Sequence, residues 1–84
     1  MIEVFTKPNC SYCVQAKHLL VAKGKPFVEI VIGEGVSRDA FVARFPNVKT
    51  APAIVIDGVL IGGYDHLSQL SESWTDPSEN LLVE

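Results

Sequence analysis

Ile2-Glu3-Val4-Phe5-Thr6-Lys7-Pro8-Asn9-Cys10-Ser11-Tyr12-Cys13 is the stretch on which the fold turns. It begins with a short β-prone run, stopped by Lys7-Pro8-Asn9, a loop signature. From Ser11 the period changes. Cys13, Ala16 and Leu20 recur at i, i+3 and i+7, with Tyr12, Leu19 and Lys23 flanking the same side and Gln15 and His18 on the other face. A helix is therefore predicted over residues 11–23, stopped by Gly24 and broken by Pro26. Residues 27–32 are β-branched or aromatic except Glu29 and predict a second strand. Strand, helix and strand in succession call for a right-handed parallel crossover.

The pattern continues outward from there. Gly33-Glu34-Gly35 is a loop, and Ser37 is an N-cap for a helix to about residue 45 with Phe41 and Phe45 facing inward at i, i+4. Pro46-Asn47 ends it. Residues 53–56 and 59–61 flank Asp57-Gly58, a two-residue hairpin signal. After Gly62-Gly63 a last helix is predicted from about Asp65, with Leu67, Leu70 and Trp74 at i, i+3 and i+7. The tail, 75–84, is polar, contains Pro77 and ends in Leu81-Leu82-Val83; the sequence leaves open whether it frays or packs on the sheet. The order β-α-β-α-β-β-α predicts an α/β fold, a four-stranded mixed sheet with three helices on its two faces.

Composition narrows the function classes. The 84 residues suit one small domain, 1–84, with a limited core. Hydrophobic residues at 48% and charged residues at 20% argue against disorder. No apolar run exceeds four residues (19–22 is one), far below the ~20 that a membrane-spanning helix requires. Glu3 and Lys7 interrupt the N-terminus, so a signal peptide is not expected. Beneath the net charge of −3, residues 1–49 hold all seven Lys and Arg against four acids, while residues 50–84 hold six acids and no Lys or Arg. The basic half can draw in anionic ligands. The acidic whole argues against sequence-independent nucleic-acid binding.

Cys10 and Cys13 are the two cysteines of the chain. A secreted domain stapled by disulfides normally carries four or more, and a bridge across two intervening residues closes too short a loop to stabilise a fold much. The pair is therefore read as chemical, in a reducing cytoplasm. Cys10 lies in the loop after the first strand and Cys13 in the first helical turn, where unpaired amides and the helix dipole stabilise a thiolate. Lys7 adds positive charge nearby. Cys10, nearer the helix tip, is the expected nucleophile, and Cys13, on the inward stripe, the expected resolving thiol. Half of a zinc site is the competing reading. It would need two more ligands, and only His18 and His66 remain, at no paired spacing; no metal is expected.

Residues 6–13, together with Ala16-Lys17, Thr50-Ala51-Pro52 and Gly62-Gly63-Tyr64-Asp65, resemble a dithiol glutaredoxin over most of the chain, from about Val4 to Leu70. The resemblance implies the thioredoxin fold, a cis Pro52, glutathione as reductant, and reduction of protein disulfides and glutathione mixed disulfides. It implies partners such as ribonucleotide reductase, and a monomer. Carried onto this sequence, it implies Cys10 as nucleophile and Cys13 as resolving thiol. Lys7 would approach the glycyl carboxylate of glutathione, Tyr12 would line the groove, and the backbone of Ala51 ahead of Pro52 would pair with the cysteinyl portion. Gly63, Tyr64 and Asp65 would hold the γ-glutamyl end, by helix-start amides for its carboxylate and the Asp65 side chain for its ammonium. Asp65 has an alternative role as an N-cap, and Arg44 is a further candidate for a carboxylate contact.

Two positions depart from the family pattern. Ser11 stands where proline is commonest, freeing a backbone N–H and adding a hydroxyl near Cys10. Members with Cys-Ser-Tyr-Cys include some that bridge a [2Fe–2S] cluster between two chains and two glutathiones, so an iron–sulfur-binding protein is one alternative. Ala51 stands where valine is usual. A redoxin served by thioredoxin reductase is a second alternative, disfavoured because Gly63-Tyr64-Asp65 suits glutathione and Trp-Cys-Gly-Pro-Cys is absent. Tyr12 before the second cysteine and Lys25-Pro26-Phe27 also resemble phage-encoded redoxins.

Overall fold

Alternation along one strand divides the molecule into two faces. In the computed structural model, which describes residues 1–74, β1 (Ile2–Thr6) turns Ile2 and Val4 to one side of a sheet and Phe5 to the other. The tail 75–84, with the choice the sequence leaves open for it, lies outside the described residues. The first face buries Ile2, Val4 and Ile54 against Ala16 and Leu20 of α1 (Ser11–Ala22) and Leu67 of α3 (Tyr64–Ser71). The second buries Phe5, Ala53 and Val55 against Phe41 and Phe45 at α2 (Arg38–Arg44). Leu20, Ile54 and Leu67 are fully enclosed, each contributing about 1.5–3 kcal/mol by transfer from water.

The sheet order is β2-β1-β3-β4, with β2 (Phe27–Val31) parallel to β1 and with β3 (Ala53–Ile56) and β4 (Val59–Gly62) added antiparallel. This is the predicted mixed four-stranded sheet with three helices, the thioredoxin fold.

The ends of the helices have local causes. Ser37 caps α2 by accepting from the Ala40 amide at 3.1 Å. At the end of α1, Gly24 takes a left-handed φ of 67°. That lets the Lys25 amide reach the Leu20 carbonyl and the Gly24 amide the Val21 carbonyl, a Schellman termination. Boundaries differ from the sequence reading by a residue or so. α1 stops at Ala22, β2 at Val31, and α2 at Arg44. α3 starts at Tyr64 and ends at Ser71, so Trp74 lies beyond the helix that its spacing suggested. It packs beside the first core cluster all the same, with the Lys25 ammonium 5.1 Å from its ring centroid.

Candidate functional site: a disulfide at the joined ends of two helices

Thr6 ends β1, and the next four residues turn the chain into α1. Asn9 adopts a left-handed φ of 57°, which asparagine tolerates better than most residues. Cys10 is then extended and forms the N-cap of α1, its Sγ accepting a hydrogen bond from the Cys13 amide at 3.1 Å. A sulfur thus fills the place usually taken by a Ser or Asp oxygen. Cys10 and Cys13 are joined by a disulfide, with their Cα atoms 5.2 Å apart. Cys13 is 2% exposed on the inward stripe, while Cys10 is only half-buried.

The antiparallel register of β1 and β3 pairs Phe5 with Ala53. The loop following β1 and the segment preceding β3 therefore emerge at the same end of the sheet. There the Ala51–Pro52 bond is cis, as the resemblance implies, and Pro52 is buried. The Ala51 carbonyl oxygen lies 3.7 Å from Cys10 Sγ. When the disulfide is opened to the dithiol, a Cys10 S–H can donate to it.

α1 and α3 lie on the same sheet face, and their first turns converge. Tyr12 of α1 and Tyr64 of α3 stand with ring centroids 5.8 Å apart, tilted by 32°. Beside them a groove of about 360 Å³ is lined by Tyr12, Thr50, Ala51, Pro52, Gly63, Tyr64, Asp65 and His66. The structure thus brings six of the seven expected binding residues into one groove. α3 is capped by Gly63 without a side-chain hydrogen bond, so the alternative role of Asp65 as N-cap does not hold. Its carboxylate sits exposed in the first helical turn.

His66 lines the same groove, and sequence reasoning did not place it there. Its position next to Asp65, in the first turn of a helix, was the available signal. Gly62 makes room for it: φ there is 128°, and a Cβ would fall 2.6 Å from His66 Cγ.

Lys7 is placed apart from that groove. It lines a second cleft of about 600 Å³ that shares no lining residue with the groove, together with Cys10, Cys13, Lys17, Glu29 and Glu34. In this cleft Glu29 Oε2 accepts from the Thr6 hydroxyl at 2.8 Å and from Lys17 Nζ at 2.9 Å. The hydrogen bond from Lys17, then that from Thr6, hold the Glu29 carboxyl below its usual range against the opposing effect of burial. Arg44 is not a groove residue. Its guanidinium stacks on Phe45 at 4.7 Å and on Phe5 at 5.7 Å and pairs with Glu3 at 3.6 Å, which anchors α2 to the sheet. Among the described residues no three His, Cys, Asp or Glu side chains gather as a metal site, and no helix is long and apolar enough to cross a membrane.

A sulfur at a helix start, bonded to the sulfur of a second cysteine three residues on, is equipped for disulfide exchange. Comparison with known proteins agrees. Residues 2–61 match the family model for glutaredoxin. The chain is similar to glutaredoxin 3 of Escherichia coli, 41% identical over 70 residues, spanning 82% of this chain and 83% of that one. It is also 41% identical over 71 residues to a hybrid peroxiredoxin of Haemophilus influenzae, covering 81% of this chain but only 28% of that relative's length. Among solved structures it resembles a buckwheat glutaredoxin–glutathione complex, with a TM-score of 0.70 at 26% identity over 84% of this chain and 67% of that one.

Proposed function

The chain belongs to the glutaredoxin family and is a thiol–disulfide oxidoreductase, and on that premise we propose that glutathione is its reductant, Cys10 its attacking thiol and Cys13 its resolving thiol. The Cys10 thiolate attacks one sulfur of a protein disulfide, forming a mixed disulfide and releasing the other sulfur as a thiolate. Cys13, deprotonated, attacks Cys10 Sγ; the Cys10–Cys13 disulfide forms and the second protein thiol leaves. Two glutathione molecules, each giving up one thiol proton and one electron, return the dithiol and leave as glutathione disulfide. On a glutathione mixed disulfide only the first thiol is needed. Cys10 takes the glutathionyl group, and a second glutathione removes it.

The observation that carries this reading is the approach of Cys10 Sγ to the Ala51 carbonyl at 3.7 Å, on the rim of a groove that runs to Asp65. A cysteinyl residue linked to Cys10 meets the Ala51 backbone there and pairs with it like an added strand. The γ-glutamyl carboxylate takes the open amides at Gly63 and Tyr64, and the ammonium takes Asp65. Tyr12 walls the groove, Pro52 shapes its floor, and Lys7, from the second cleft, meets the glycyl carboxylate. A relative solved with glutathione supports the same ligand.

Disulfide-containing proteins are the electron acceptors, ribonucleotide reductase among them, and the reducing cytoplasm is the working compartment. For a [2Fe–2S] cluster this chain offers two thiols, of which Cys13 is 2% exposed; the remaining ligands would come from outside the chain, and no step above needs one.

Single-cysteine variants test the assignment. Cys13→Ser retains removal of glutathione from a mixed disulfide and loses reduction of a protein disulfide by the dithiol route. Cys10→Ser loses both. An active Cys10→Ser enzyme beside an inactive Cys13→Ser one would reverse the roles.

A further inference from the structure

The glutathione reading gives no role to two residues of the groove, Thr50 and His66, and of these only His66 carries a titratable side chain. It is exposed and follows Asp65 in the first turn of α3. The hydrogen bonds and ion pairs of the described residues do not involve it. Its ring stands close against the backbone of β4, where a Cβ on Gly62 would lie 2.6 Å from Cγ and 3.1 Å from Cβ of His66. The side chain therefore borders the groove beside Gly62, and among the described residues no protein group hydrogen-bonds to its ring nitrogens.

The titratable groups lining the groove with it are Tyr12 of α1 and Tyr64 and Asp65 of α3; residues 50–52 and β4 bring none. Imidazole is the only one of these side-chain types that ordinarily changes charge between pH 5 and 8. Glutathione carries two carboxylates and one ammonium through that range, so its net charge is negative. An imidazolium at the γ-glutamyl end adds attraction for the carboxylate held at the α3 amides, while Asp65 keeps the ammonium.

We propose that His66 is a specificity-determining residue of this groove, its imidazolium form pairing with the γ-glutamyl carboxylate so that glutathione derivatives bind more tightly as pH falls. The inference rests on the glutathione reading above and adds to it a pH-dependent contact. In an exposed groove a single charge-assisted contact is screened, so the effect is modest, about two- to tenfold in affinity.

The test uses the oxidised protein, in which neither cysteine titrates, and S-methylglutathione, which has no thiol. Calorimetric titration from pH 8 to pH 5.5 at fixed ionic strength then reports the groove alone. For the unaltered protein the affinity rises about two- to tenfold toward pH 5.5, and the rise disappears in His66→Gln and in His66→Asn. A flat or falling profile in the unaltered protein overturns the proposal, and so does a slope that survives in either variant. Binding without pH dependence leaves the glutathione reading standing, whereas no binding at any pH overturns both.

Discussion

Cys10 Sγ lies 3.7 Å from the carbonyl oxygen of Ala51, a residue 41 positions further along the chain. Register brings them together: β1 and β3 run antiparallel with Phe5 opposite Ala53, so the loops beyond those residues face each other at one sheet end. The same sulfur accepts the Cys13 amide at 3.1 Å. It therefore lies between a donor at the helix start and, once the dithiol restores its S–H, an acceptor on the neighbouring backbone. The donor side favours an anion; the carbonyl side is where the proposed reading has an incoming peptide backbone pair.

In the dithiol form the amide of Cys13 and the dipole of α1 should draw the Cys10 titration below the ~8.5 of a free thiol. The Ala51 carbonyl opposes this, but as one dipole against a helix end. Ultraviolet thiolate absorbance followed against pH measures the midpoint directly. Lys7→Gln should raise it only modestly, because that ammonium is exposed and screened. A midpoint at or above the free-thiol value contradicts the account of the helix start.

Asp65 separates binding from folding. Gly63 caps α3, so replacing the Asp65 carboxylate removes only its interaction with the helix dipole, about 0.3–1 kcal/mol. A lost charge-assisted contact to the ligand ammonium costs more, roughly 1.5–3 kcal/mol when partly desolvated, or about ten- to a hundredfold in affinity. Asp65→Asn should leave the thermal midpoint within several degrees and lower turnover at limiting glutathione. Unchanged glutathione dependence in this variant would remove Asp65 from the site.

Glu29 gives an acid limb to stability. Its carboxyl titrates below the usual range because Lys17 and then Thr6 hydrogen-bond to it. A depressed folded-state value means that the contribution is complete above the unfolded value of 4.5 and fades as pH falls through the folded one. Urea unfolding of Glu29→Gln should lose this part of the slope below pH 4.5, while stability near neutrality falls by at most about 1 kcal/mol, since the pair is partly exposed and Gln still accepts from Thr6. Glu29→Ala should cost more, about 1–3 kcal/mol, because the Thr6 hydroxyl, on a residue 2% exposed, is left without its acceptor. An unchanged acid limb in Glu29→Gln would show that the contact contributes nothing.

What the sequence made legible was whatever local periodicity or chemistry encodes. The stripe Cys13, Ala16, Leu20 is buried as its spacing predicts, and Ser37 caps α2. Phe41 and Phe45 face inward. Residues joined only through the sheet were less legible. Glu29 looks like the polar interruption of a strand, yet it binds Thr6 on the adjacent strand and Lys17 on the crossing helix, partners 23 and 12 positions away. Arg44 reads as a basic residue free for a carboxylate, and only the packing of α2 shows its guanidinium lying over Phe45. His66 needed the close approach to Gly62 to be seen beside the groove. Trp74 kept its inward position although the helix stops at Ser71, because the burial pattern runs on past the last helical turn.

Glutathione as the source of the electrons is open to direct test. The most direct measurement is NADPH oxidation in a coupled assay with glutathione, glutathione reductase and the mixed disulfide of cysteine and glutathione as substrate. The expected rate is proportional to this protein and dependent on glutathione, retained in Cys13→Ser and absent in Cys10→Ser. No turnover with glutathione, beside efficient reduction of the oxidised protein by thioredoxin reductase, would contradict the glutathione reading.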